Sequence, residues 1–212
     1  MAQSDWLPLF PLNTILFPAG VLPLRVFETR YIDMVRDCMK TNTPFGVVAI
    51  RAGQEVGAAA EPHAVGTLAN ITQWDMPEFG VLLIQTRGGE RFRILESRVS
   101  PGKRLEARIA MIAADPPMTD DDALPVCANV LRVVIEDLQR RALATQANES
   151  ISPELINPFP DPIQLDDVTW VANRWCEILP IDLEEKQQLL EMSDPVQRLQ
   201  QVRTYLQKHG IL

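Results

Sequence analysis

From Leu7 to Met39 the chain reads LPLFPLNTILFPAGVLPLRVFETRYIDMVRDCM, short apolar runs broken by Pro8, Pro11, Pro18 and Pro23. At Phe27-Glu28 the rhythm changes. Tyr31, Met34, Val35, Cys38 and Met39 then fall at i, i+3, i+4, i+7 and i+8, which predicts an amphipathic helix over Glu28 to Thr41. Each proline removes a backbone donor and holds the residue before it extended. The opening stretch is therefore expected to be an edge strand that bends at its prolines, or a loop laid on a core, with Phe10 and Phe27 buried.

Next, Phe45 to Ile50 is a continuous apolar run that reads as a buried strand, and Arg51 to Pro62 lacks periodicity and reads as a loop. Val65 to Trp74 alternates, Asp75 to Phe79 reads as a hairpin loop, and Val81 to Thr86 as the returning strand. Gly88-Gly89 supplies a second turn signal. Arg91 to Glu96 and Leu105 to Ile112 complete an antiparallel series that predicts a small closed or half-closed barrel.

Asp115-Pro116-Pro117 ends this region, and Thr119 to Asp122 provides cap residues for a helix striped by Cys127, Leu131, Val134 and Leu138. Ser150 to Pro162, broken by Pro153, Pro158 and Pro160, reads as a connection. Val168 to Leu179 has helical spacing and stops at Pro180. Asp182 with Glu185 three residues on, and Asp194 before Pro195, open two further helices. The fold class expected is α+β, with a β-rich lobe over 1–115 and a helical-bundle lobe over 116–212.

Charge sharpens this division. Of 20 Lys/Arg and 28 Asp/Glu in 212 residues, 1–115 holds 12 of each, whereas 116–212 holds 8 and 16. Neither half offers a clustered basic face, which counts against nucleic acid as the main partner. No basic leader precedes an apolar segment, and no run reaches the roughly 18 apolar residues of a membrane helix, so a cytoplasmic protein is expected. Cys38, Cys127 and Cys176 are odd in number and far apart, which disfavours disulfides and zinc and fits small core residues.

The chemistry expected of an enzyme is missing. Gly102-Lys103 lacks the upstream glycine of a phosphate loop, no serine sits in a GxSxG elbow, and His63 and His209 stand alone as expected surface residues. Asp120-Asp121-Asp122 and Glu184-Glu185 fall at helix starts, where the helix dipole accounts for them. No catalytic residue, metal or cofactor is expected. Two groups stand out. Trp74, Met76 and Phe79 gather at the expected hairpin tip, as a polypeptide-binding patch or as a tip folded back on the helical lobe. Arg25, Glu28 and Arg30 surround the switch from extended chain to helix, as a charge network or a ligand site.

Leu9-Phe10-Pro11-Leu12, Phe17-Pro18 with Leu22-Pro23-Leu24, Phe27-Glu28 with Arg30-Tyr31, Val65-Gly66-Thr67-Leu68-Ala69, and Leu179-Pro180 followed by Glu184 to Gln187 occur in an order that resembles the Lon protease N-terminal domain, or LON substrate-binding domain. The resemblance implies a PUA-like front lobe, a helical back lobe and a stand-alone member without ATPase or peptidase. It also implies a non-enzymatic module that binds polypeptides or a protein partner, with homo-oligomerisation in reach. The alternative is a PUA-like small-molecule or RNA-binding module.

Overall fold

The architecture, taken from a computed structural model, is described for residues 6–57, 60–146, 159 and 162–212. Six strands and five helices follow one another among these residues: β1 (Leu7–Leu12), β2 (Val21–Val26), α1 (Thr29–Thr41), β3 (Phe45–Ala52), β4 (Glu61–Glu78), β5 (Val81–Val99), β6 (Leu105–Met111), α2 (Leu124–Gln146), α3 (Val168–Ile178), α4 (Leu183–Glu191) and α5 (Pro195–Lys208). This is an α+β fold on one mixed sheet of order β2-β5-β4-β3-β1-β6, with a further pairing between β5 and β6. At 19 residues β5 is long enough to serve two neighbours on one side: its first half pairs with β2 (Val21↔Arg87 to Val26↔Leu82) and its second with β6 (Phe92↔Met111 to Val99↔Leu105). β4 runs along its other side.

The opening stretch departs from the edge strand expected of it. β1 is not an edge: it pairs in parallel with β3 (Leu9↔Gly46 to Leu12↔Ala49) and antiparallel with β6 (Leu7↔Ala107 to Leu9↔Leu105). The prolines fit because backbone groups alternate sides along a strand. Leu7 and Leu9 supply the bonds toward β6, and Pro11, on the same side, lies beyond the pairing. Among the described residues the strand with a single neighbour is β2, whose outer side holds Pro23.

Gly88-Gly89 makes no turn; β5 passes straight through it. Gly88 is required for close approach, since a Cβ there would stand 2.2 Å from the Phe17 carbonyl oxygen. The bonds from Ala19 N to Gly88 O (2.9 Å) and Gly88 N to Gly20 O (2.8 Å) lock the two chains together. The hairpin loop is also shorter than expected, because β4 continues to Glu78 and reversal falls on Phe79-Gly80, with Gly80 at φ +83°.

The helices form where the spacing and caps predict. α1 buries Tyr31, Met34, Val35 and Cys38 against the sheet. Asp167, Asp182 and Asp194 accept from Thr169 N (3.0 Å), Glu185 N (2.7 Å) and Val196 N (2.9 Å), satisfying first-turn donors. α3 packs against α2, α4 and α5, and the Trp175 Nε1 proton bonds the Cys127 carbonyl at 3.1 Å. The connection expected over Ser150 to Pro162 lies largely outside the described residues. All three cysteines are buried free thiols, and burial pushes Cys127 up to about 11 and Cys176 up to about 12.

One core crosses position 115. Ile15, Phe17, Ala49 and Val65 pack in the same cluster as Leu131, Trp175, Leu199 and Leu206. Above it, Arg91 of β5 donates to the carbonyls of Leu190 (2.7 Å) and Met192 (2.5 Å) and pairs with Asp115; Arg198 of α5 donates to Asp115 (2.8 Å), Asn173 Oδ1 (3.0 Å) and the Leu189 carbonyl (2.9 Å). Two guanidinium groups thus share one buried carboxylate and close the C-terminal end of α4, where carbonyl oxygens lack helical partners.

Candidate functional site

Beyond the bulge at Ile71/Gln73, the distal part of β4 and the start of β5 form an arm. Trp74 pairs with Ile84 and Glu78 with Val81, so Trp74 and Met76 stand on β4 itself and Phe79 in the turn. Trp74 is 56% exposed, Met76 50% and Phe79 104%. The tip does not fold back on the helices. At the root of the arm, Trp74 meets the C-terminal end of α1 across a cleft of about 200 Å³ lined also by Met39, Asn42, Asn70 and Ile71. Three large apolar side chains facing solvent, next to a cleft, can adhere to apolar segments of another chain without base, nucleophile or metal.

The second group is divided. Glu28 and Arg30 form an ion pair at 3.0 Å, Arg30 Nη1 donates to the Lys103 carbonyl at 3.1 Å, and its guanidinium stacks 4.6 Å from the centre of the Tyr31 ring. Arg25 is exposed and joins neither contact. It lines instead, with Glu28, a cleft of about 250 Å³ between β1, β2 and the start of α1. Arg30 thereby fixes the helix start against the 100–104 turn.

Phe27 corrects an expectation: it is 56% exposed, because β2 ends at Val26, whose side chain takes the inward position. With Val56, also exposed, it flanks the cleft beside β2, a surface the sequence reading missed. The alternation of Leu22, Leu24 and Val26 against Pro23, Arg25 and Phe27 was the signal that could have found it. His63 corrects another, since its side chain is 11% exposed and Nε2 lies 3.4 Å from Glu184 Oε2. His209 is exposed and stacks on Tyr205 at 4.0 Å.

The most perturbed carboxyl lies away from these surfaces. Burial raises Glu177 to about 7, against the opposing pull of Arg174, whose Nη2 donates to it at 2.7 Å and to the Pro18 carbonyl at 2.9 Å. A carboxyl raised on folding contributes stability that is complete below its ordinary value near 4.5 and is lost as pH rises through 7. Denaturation midpoints should therefore fall between pH 5 and 8 in the native chain, by about 3 kcal/mol relative to Glu177→Gln. Parallel profiles for the two proteins would remove this role. Among the described residues no three His, Cys, Asp or Glu side chains gather as metal ligands, and no helix is long and apolar enough to cross a membrane.

Residues 6–208 match the ATP-dependent protease La (LON) substrate-binding domain. The chain belongs to the LON substrate-binding domain family. It is 31% identical over 206 residues to the Lon protease of Anaeromyxobacter dehalogenans and 30% identical over 206 residues to Lon protease 2 of Myxococcus xanthus, in each case across 95% of this chain and 23% of the relative. It thus spans about a quarter of the length of those proteins. Among solved structures, the Lon N-terminal domain protein from Xanthomonas campestris superposes with TM-score 0.70 at 32% identity, covering 94% of this chain and 98% of that one. The N-terminal domain of Mycobacterium avium complex Lon protease shares the fold, with TM-score 0.58 at 20% identity. The LON family matched is the substrate-binding part of the protease rather than its ATPase or peptidase part.

Proposed function

We propose that this LON-family chain is a non-catalytic cytoplasmic module that holds polypeptide segments through Trp74, Met76 and Phe79. The observation that carries the reading is their joint exposure on the β4–β5 arm. Isolated surface apolar residues are ordinary, but three large ones within six positions form a patch whose desolvation favours association. The family's description as a substrate-binding domain supports the same reading. The net charge of −8 favours polypeptide over RNA. In this reading the ring β5-β4-β3-β1-β6 is a small PUA-like barrel, the C-terminal helices are a bundle built on α3, and the 1–115 and 116–212 lobes act as one domain.

The test is binding of a reduced, permanently unfolded model polypeptide by fluorescence anisotropy. Replacing Trp74, Met76 and Phe79 together with Ser should weaken binding by about tenfold or more, as loss of an interface anchor does, and leave the melting temperature within about 2 °C because the side chains are exposed. Undiminished binding by a folded triple variant would overturn the reading.

A further inference from the structure

The cleft beside β2 differs in kind from the apolar arm. It is lined by Leu22, Pro23, Leu24, Arg25 and Val26, all consecutive, whereas β1 contributes the alternate residues Phe10 and Leu12. Successive side chains of a strand point to opposite faces, so a depression touching five in a row runs along the strand's edge. The alternate residues of β1, with Tyr31, form its apolar floor. Among the described residues β2 has one neighbour, β5, and no backbone bond reaches its other side.

The phase of that open side can be read. Gly88 N bonds to Gly20 O at 2.8 Å, and the register Val21↔Arg87 through Val26↔Leu82 continues from it. Bonded pairs alternate in an antiparallel ladder, so Leu22, Leu24 and Val26 face β5. Val21, Pro23 and Arg25 direct their main-chain groups outward. The edge therefore offers N–H and C=O at Val21, C=O alone at Pro23, and N–H and C=O at Arg25. Backbone polar groups of this kind are complementary to another extended backbone. The missing donor at Pro23 interrupts the row, which disfavours long, indiscriminate edge pairing and suits a short segment.

We infer that an extended, apolar polypeptide segment adds as a strand to the outer edge of β2, with side chains from one of its faces entering the cleft of about 250 Å³ over Phe10, Leu12 and Tyr31. The occupant follows from the two properties together: a main-chain hydrogen-bonding row requires an unpaired strand, and the apolar floor requires alternate apolar side chains. A folded partner supplies the first only at an open edge of its own. The inference rests on the polypeptide-binding reading above but uses a different surface from the arm.

The experiment uses the whole chain and a ten-residue peptide with Leu at alternate positions and Ser between. Two further peptides bear N-methyl groups on alternate residues, one on the Leu set and one on the Ser set. Since a strand bonds its neighbour through every second residue, one methylated peptide should bind about tenfold more weakly per bond removed, and the other like the parent. Amide exchange at Val21 and Arg25 should slow on adding parent peptide. Arg25→Pro, which removes an outward donor from a residue already extended, should weaken binding by roughly tenfold, and Arg25→Ala by no more than about twofold. Equal binding of all three peptides with unchanged exchange at Val21 and Arg25 overturns the inference. So does equal loss in Arg25→Ala and Arg25→Pro, which would assign recognition to the guanidinium. If the Trp74/Met76/Phe79 variant binds unfolded polypeptide normally while the two amides are protected, the arm reading fails and this one stands.

Discussion

Asp115→Ala is expected to lower the free energy of unfolding by about 3–5 kcal/mol, the range for breaking a buried ion pair from one side. Arg91, Asp115 and Arg198 are all excluded from solvent. Removing the carboxylate leaves two buried guanidinium groups facing one another with only carbonyl oxygens and Asn173 as partners. The two positive charges already compete: burial and the proximity of Arg198 both pull the Arg91 pKa below its ordinary value, and Asp115 opposes them. Because Arg91 belongs to β5 and Arg198 to α5, the loss should also loosen the attachment of the helices to the sheet. Urea denaturation followed by tryptophan fluorescence checks this, since Trp170 and Trp175 report the helices. A midpoint within about 0.5 kcal/mol of the native chain would show that the network is not needed for stability.

Phe10→Ala should cost about 3–5 kcal/mol, while Phe27→Ala should stay within about 0.5 kcal/mol. Phe10 stacks on Tyr31 at 4.2 Å between ring centres and meets Phe45 at 6.1 Å, joining β1, α1 and β3 in one contact. Truncation there opens a cavity that three separate elements would have to close. Phe27 is 56% exposed and has little burial to lose. Thermal denaturation of the two variants checks the contrast; equal destabilisation would place Phe27 in the core after all.

These contrasts show which physical signals the sequence transmits. Helices were legible because caps and periodicity are local: Asp182 and Asp194 each cap the helix that follows them, and the apolar spacing from Val168 marked the third, whose cap, Asp167, went unread. Sheet order was not. Proline at 8 and 11 marked β1 as an edge under a rule about donors, but which side a proline faces and where the neighbour ends depend on β3 and β6, distant in sequence. Gly88-Gly89 carried the composition of a turn, yet Gly88 answers a steric demand from Phe17, about seventy positions earlier in the chain. The exposed apolar residues of the arm were legible as a group because they are neighbours on the chain. The open edge of β2 was not, because an edge is defined by which strands are absent from it. Asp115, read only as part of a breaking Asp-Pro-Pro, gave no sign of its buried partners.

The place of β1 also has a meaning in time. Its partner on one side emerges soon after it, at Gly46 to Ala49, but its partner on the other begins at Leu105. At ribosomal rates of about 5–20 residues per second, the edge that Leu7 to Leu9 present to β6 stays unpaired for on the order of 5–20 s after it is made. Pairing over such a separation is slow even in the finished chain. Pro11, which lacks a donor on the same side as Leu7 and Leu9, shortens the row along that edge and so limits pairing with other chains during the interval in which its own partner does not yet exist.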